Sequence, residues 1–167
     1  MGARNYLVEG VSCTGKSAVC RELRRRGFDV VDGDNELAYQ GDPVTGEPTD
    51  TSSHFHHVWD VAKVRALAAD DSQAATFFCG GSRNLPSFVD VFDEVFVLEV
   101  DRETLGTRLD ARAPDDFGAT PSERELVLRL HATQEDVPAV GVRIDATAPL
   151  GDVVDEILRL ADRTGAV

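Results

Sequence analysis

Basic residues are scarce in this chain. Across its 167 residues, 17 Lys and Arg stand against 30 Asp and Glu, a formal net charge of −13. That deficit argues against nucleic acid or an anionic membrane as a primary partner, because both are gripped through a basic footprint. Cysteine is also sparse. The three present, Cys13, Cys20 and Cys79, are odd in number and spread out, which excludes a disulfide framework. No apolar run approaches the length of a membrane span, and no N-terminal stretch has the pattern of a secretory signal, so the expected compartment is the cytoplasm. Internal repeats, low-complexity tracts and linker-like segments are absent too. Apolar and charged contents of 42% and 28% are ordinary, and the length suits one domain, residues 1–167, with a full core.

What the chain does contain begins near its N-terminus. Gly10-Val11-Ser12-Cys13-Thr14-Gly15-Lys16-Ser17 fits G-x-x-x-x-G-K-[ST], the phosphate-binding P-loop. It follows a short apolar run, Tyr6-Leu7-Val8, and precedes a helical pattern over Ala18 to Arg26. A strand, a glycine-rich loop and a helix N-terminus together aim backbone N–H groups and a helix dipole at an anion. The acidity of the chain is no obstacle, because such a loop makes its own positive site. Within it, Cys13, Thr14 and Ala18 belong to the cradle, Lys16 is placed to reach the β- and γ-phosphates, and the Ser17 hydroxyl to ligate Mg²⁺. The motif leaves position 13 open, so Cys13 reads as a small loop filler, with a redox-sensitive thiol as the alternative.

Strand and helix signals alternate after the loop. Phe28–Asp32, Ala75–Cys79, Val95–Val100 and Val142–Asp145 read as strands. Helices are expected over His57–Ala69, after Asp101 as N-cap, over Ser122–Gln134 from a Ser122-x-x-Glu125 capping box, and over Leu150–Ala161. Gly33–His56 reads as a long irregular segment, and Pro114–Pro121 as a second flexible one. The expectation is an α/β three-layer P-loop NTPase fold, a parallel sheet with helices on both faces. Ligands of such folds sit beyond the carboxyl ends of the strands, which gathers the P-loop, Asp32 and Asp34, Gly80–Asn84 and Asp145–Pro149 on one rim.

Several residues on that rim carry chemistry. Asp32 and Asp34 close the second strand. One could support Mg²⁺ and the other could accept a proton from a hydroxyl, or both could be turn and cap acids. The third strand ends in Gly80-Gly81 without the acid of a Walker B motif, which moves metal support onto Ser17 and Asp32. Arg83 offers a bidentate site for phosphate or carboxylate, or pairs with a surface acid. Arg108 and Arg112 share a helix face beside the flexible segment, and Arg124 and Arg129 lie beyond it. His54, His56 and His57 cluster with Phe55 and Trp59. A metal site is one reading, though their spacing matches no standard zinc pattern; lining of a substrate pocket, with His57 as the binding residue, and a partly buried or surface role are the others.

These residues together resemble the small P-loop kinases of the nucleoside-monophosphate kinase and shikimate kinase superfamily, over essentially the whole chain. The resemblance implies a five-stranded sheet in the order 2-3-1-4-5, an acceptor-binding segment at 33–60 and a lid at 112–124. It implies ATP and Mg²⁺ at Gly10, Gly15, Lys16 and Ser17, and an acceptor site at Asp32, Asp34, Gly80, Gly81 and Arg83. By the same resemblance Arg108 stacks on adenine, Arg112 is the first lid arginine, Arg129 reaches the phosphates, and the loop through Pro149 skirts the base. Shikimate kinases carry three glycines and a clamping Arg after the second strand. Here two glycines stand, and no Arg or Lys occurs between Arg26 and Lys63, which points away from shikimate itself. The expected activity is phosphoryl transfer from ATP to a hydroxyl-bearing metabolite or nucleoside. A nucleotide-phosphate acceptor, and a nucleotide switch or ATPase with no small-molecule acceptor, are the alternatives.

Overall fold

The computed structural model describes residues 3–164. Strand β1 (Arg4–Gly10) lies at the centre of a parallel sheet, paired with β5 (Ala75–Cys79) on one side and β6 (Glu94–Glu99) on the other. Strand β2 (Asp29–Asp32) adds outside β5, and β7 (Val142–Asp145) outside β6. Because all five run the same way, their carboxyl ends share one rim, as the sequence implies.

Alternation along these strands splits the interior in two. Tyr6 and Val8 of β1 face one core with Phe77, Phe96 and Leu98. Helices α1 (Lys16–Arg25), α4 (Arg102–Asp110), α5 (Pro121–Thr133) and α6 (Leu150–Thr164) cover it. Leu7 faces the other core with Phe78, Val95 and Val97, covered by α3 (Val61–Ala68), Trp59, Phe88 and two 3₁₀ turns at Leu85–Ser87 and Val89–Val91. Glu9 has the parity of Leu7, so it points to the second side, near the end of β5.

Three expectations change. First, residues 33–56 are not simply irregular. They hold a short helix, α2 (Gly33–Glu36), and strand β3 (Ala38–Gln40), which pairs antiparallel with β4 (His57–Trp59) in a separate two-stranded sheet. Nothing local signals a pairing such as Gln40 with His57 across so long a loop. Two extra strands enter the count, and the order written as 2-3-1-4-5 becomes β2-β5-β1-β6-β7.

Second, the helix expected from His57 starts only at Val61, where the Asp60 carboxylate accepts from the Lys63 N–H at 3.1 Å. Trp59 is drawn inward instead. It is fully buried, its backbone N–H donates to Asn84 Oδ1 at 2.9 Å, and its backbone carbonyl accepts from Asn84 Nδ2 at 2.9 Å. Third, the capping box lies two residues earlier than expected, at Thr120 and Glu123, with Pro121 at the first helical position. Residues 121–124 of the expected lid therefore belong to α5, and 111–120 form the loop before it.

Trp59 packs so closely on α2 that a β-carbon at Gly33 would overlap its ring. Gly33→Ala should lower stability by about 1–3 kcal/mol, the usual range for overpacking, measured by denaturant unfolding. A variant as stable as the parent would show that the Trp59 seat is not tightly packed.

Candidate active site

The loop after β1 has the backbone its sequence demands. Gly10 and Gly15 hold φ of 154° and 110°, and a side chain at Gly10 would meet Thr14 Oγ1 at 2.6 Å and the Leu98 carbonyl at 2.8 Å. Cys13 also takes a positive φ, 71°. Helix α1 opens with Gly15 as a cap that offers no side-chain acceptor, and its first turn contains no acid. Its first N–H groups thus stay free for an anion. The Lys16 ammonium donates to the carbonyls of Gly10 and Val11. Thr14 is buried and its hydroxyl donates to the Val11 carbonyl at 2.7 Å, so its side chain braces the loop.

Beside the loop lies a cavity of about 470 Å³, lined among others by Lys16, Ser17, Ala18, Asp34, Arg108 and Arg112. The Arg108 guanidinium bridges two loops, donating to the Thr14 carbonyl at 2.9 Å and the Ala146 carbonyl at 2.8 Å. Arg112 Nε donates to Cys13 Sγ at 2.9 Å, and the guanidinium pairs with Asp116 at 3.6 Å. A hollow of about 280 Å³ next to Arg108 is lined by Gly15, Ala18, Ala146, Ala148 and Leu150. Pro149 is exposed at its margin, between two lining residues.

On the other side of Lys16 is a pocket of about 430 Å³ that gathers Glu9, Asp34, His57, Gly81 and Arg83. Two absent β-carbons make it possible. A side chain on Gly80 would stand 2.7 Å from Asp34 Oδ1, and one on Gly81 would stand 2.8 Å from Glu9 Oε1. His57 Nε2 donates to Asp34 Oδ1 at 3.0 Å, and the Gly81 N–H reaches the same oxygen at 3.3 Å. Burial works against the charge of Asp34, but His57, Lys16 and Gly81 outweigh it and hold the carboxyl below its ordinary range. Glu9 is only 2% exposed. Burial pushes its carboxyl up to about 7, against the pull of Lys16, the Gly10 N–H and Arg83.

The far wall comes from Asp136, just after α5, and from Phe117 in the loop before that helix. Asp136 accepts from His54 Nε2 at 3.1 Å and pairs with Arg83 Nη1 at 3.4 Å, while His54 stacks on Phe117 at 5.6 Å between ring centroids. Arg83 and Asp136 also border an apolar groove of about 710 Å³ with Phe55, Leu85 and Val140.

Two expected site residues lie elsewhere. The Asp32 carboxylate caps α2, accepting from Asn35 N at 3.3 Å and Asn35 Nδ2 at 2.8 Å, and lines neither cavity. Asp34, not Asp32, is the strand-end acid that shares a cavity with Ser17. Arg129 is exposed on the outer face of α5, beside Arg102 and Glu125. The helix buries Val127 and Leu130 and so turns Arg129 away from the loop. Conversely, Glu9 and Asp136 join the site unannounced. Glu9 had a legible signal, an acid in an apolar strand immediately before the phosphate loop. Asp136 had none, because only the fold brings it to Arg83. Among the described residues no group of three His, Cys, Asp or Glu side chains is arranged to hold a metal ion, so the histidine cluster is not a metal centre of that kind. No helix there is long and apolar enough to cross a membrane.

No protein-family model matches the chain, and no curated protein matches it. Solved structures do. A sugar kinase from Janibacter sp. HTCC2649 is 19% identical, with a TM-score of 0.58 over 96% of this chain and 95% of that one. A gluconokinase from Sinorhizobium meliloti 1021 is 22% identical, with a TM-score of 0.54 over 97% and 94%. Shikimate kinase from Aquifex aeolicus is 16% identical, with a TM-score of 0.53 over 96% and 98%. The chain therefore has the fold of the small P-loop kinases.

Glu9 links this site to stability. Its folded-state carboxyl titrates near 7 instead of 4.5, so the folded chain holds a proton that the unfolded chain has released between those values. Stability falls as pH rises through that window and is level above it. Glu9→Gln removes the loss. Its gain over the parent should grow from pH 4.5 to 7 by up to about 3 kcal/mol and then stay constant. Urea unfolding at pH 5, 6, 7 and 8 checks this, and a difference that does not change with pH would contradict it.

Proposed function

We propose that the chain is an ATP-dependent small-molecule kinase that moves the γ-phosphoryl group of Mg·ATP to a hydroxyl of a metabolite or nucleoside. The observation that carries this reading is the convergence of two carboxylates, Glu9 and Asp34, on one pocket beside the phosphate-loop lysine. A P-loop that only bound or hydrolysed a nucleotide would have no need of a second pocket so equipped. The likeness to sugar, gluconate and shikimate kinases agrees with it.

In this reading the free N–H groups of the loop and α1 hold the β- and γ-phosphates. Lys16 leaves its loop carbonyls to follow the charge as it develops on the transferring group. Arg108 and the hollow at Ala146–Ala148 take the base, with Pro149 at the rim. Arg112 lies at the phosphate end of the cavity, and loop 111–120 closes over it as the lid. Mg²⁺ supplies charge neutralisation when bound with ATP. Ser17 and Asp34, which face one cavity, are the residues suited to hold it, since this ion is held by one or two carboxylates, a hydroxyl and phosphate oxygens.

The acceptor occupies the pocket of Glu9, His57, Gly80, Gly81 and Arg83. Its hydroxyl oxygen forms a bond to the γ-phosphorus as the bridge to the β-phosphate breaks and ADP departs. The hydroxyl proton passes to a carboxylate. Glu9 suits that task because its affinity for protons matches neutral pH, whereas Asp34 is held ionised and orients the acceptor with His57. Two groups of one kind with opposed pKa shifts are what a division of acid–base and electrostatic work requires.

With an acceptor found by mass spectrometry of phosphorylated products, Lys16→Ala should lower turnover at least about a hundredfold while its circular dichroism stays unchanged. Normal transfer by that variant would end the proposal. Glu9→Gln should lower kcat by about 10²–10⁴. In the parent, kcat should rise as pH passes through about 7, where Glu9 loses its proton, and the variant should lose that limb.

A further inference from the structure

Loop 111–120 sends one side chain to the place where the two cavities meet. Among the described residues, four line both the phosphate cavity and the Glu9–Asp34 pocket: Ser12, Lys16, Asp34 and Phe117. The first three are polar and come from the phosphate loop, α1 and α2. Phe117 is the one apolar member. Its neighbours in the chain are pinned. The Asp116 N–H donates to the Ala113 carbonyl at 3.0 Å, and the Gly118 N–H donates to Glu123 Oε2 at 3.2 Å. The Phe117 ring stacks on His54, with planes 15° apart and centroids 5.6 Å apart. His54 in turn is held by Asp136, which pairs with Arg83. A ring that only packed the loop would be buried, as Leu109 and Val127 beside Gly118 are, but Phe117 is 37% exposed.

We propose that Phe117 is the positioning residue that sets which nucleophile receives the γ-phosphoryl group, the acceptor hydroxyl or water. This rests on the kinase reading above and adds the control of its side reaction. In that side reaction a water oxygen bonds to the γ-phosphorus and the bridge to the β-phosphate breaks. ADP and inorganic phosphate leave, and one water proton passes to a carboxylate. Ser12, Lys16 and Asp34 would each hydrogen-bond such a water. An aromatic ring at the same junction offers it no partner and takes up its space. A phenylalanine on a loop keeps that place only if something fixes its ring. His54 does so, and His54 belongs to the acceptor wall through Asp136 and Arg83. The side that receives the phosphoryl group thus sets the seal.

The test follows the γ-phosphate of labelled Mg·ATP into inorganic phosphate and into phosphorylated product. It is run without an acceptor and with glucose, gluconate or adenosine as probes, and Mg·ATP affinity is read by calorimetry. Phe117→Ala should release inorganic phosphate without a probe at least about tenfold faster than the parent, at unchanged Mg·ATP affinity. With any probe that the parent phosphorylates, it should divert a larger share of the ATP to water. His54→Ala leaves the loop sequence intact and tests the stack even if Phe117→Ala does not fold. It should speed the same release by about two- to tenfold. Phe117→Tyr keeps the ring and should restore the parent's partition. Release no faster than the parent's in both alanine variants would overturn the assignment and leave the kinase reading standing. So would an equal fall of both products, which is what a merely structural Phe117 gives. A parent that itself released phosphate without a probe at about 1 s⁻¹ or more would defeat the kinase reading and this inference with it.

Discussion

The site depends on two β-carbons that are not there. Gly80 and Gly81 follow strand β5 where Asp34 and Glu9 press against the backbone, and a side chain at either position would strike a carboxylate oxygen. With those two acids admitted, one ammonium, Lys16, faces two carboxyls. Burial and competition then drive them apart, Asp34 held ionised by His57 and Glu9 raised toward neutrality. A site that can both receive a proton and hold a fixed negative charge follows from packing alone.

The hairpin of β3 and β4 is what brings Asp34 and His57 to that point. Trp59 anchors it, buried between the glycine of α2 and Phe88, with its backbone held by Asn84. The Arg83 N–H donates to the His57 carbonyl at 2.9 Å, which ties the loop after β5 to the hairpin. Across the pocket, Phe117 of loop 111–120 stacks on His54. The wall of the Glu9–Asp34 pocket and loop 111–120 beside the Lys16–Arg112 cavity therefore touch.

Much of this was legible in the residues. The phosphate loop, the parallel sheet and the rim at its carboxyl ends follow from a short motif and from the alternation of apolar runs with helical spacing. Asp34, His57, Gly81 and Arg83 gather with Lys16 on one pocket, and Lys16 and Asp34 with Ser17 on the cavity beside it. What was hidden was long-range. Helical spacing from Val58 to Ala69 suggests a helix from His57, but pairing with β3 and burial of the Trp59 indole outweigh that local preference in its first residues. Asp32 and Asp34 look equivalent in sequence, yet α2 turns one into a cap and the other into the pocket. Arg129 misses the site because a capping box two residues early settles which face of α5 is buried. Asp136 reaches Arg83 only through the packing of α5 against the sheet.

Glu9, a buried carboxyl beside the phosphate loop, should exchange its proton near neutral pH. Carbon-13 NMR of protein labelled at the glutamate side-chain carboxyl carbons tests it directly, with Glu9→Gln used to assign the resonance. One glutamate should titrate at about 7 and be absent from the variant, while Glu22, paired with two arginines, stays ionised to about 2. A Glu9 resonance titrating near the ordinary glutamate value of 4.5 would overturn this reading.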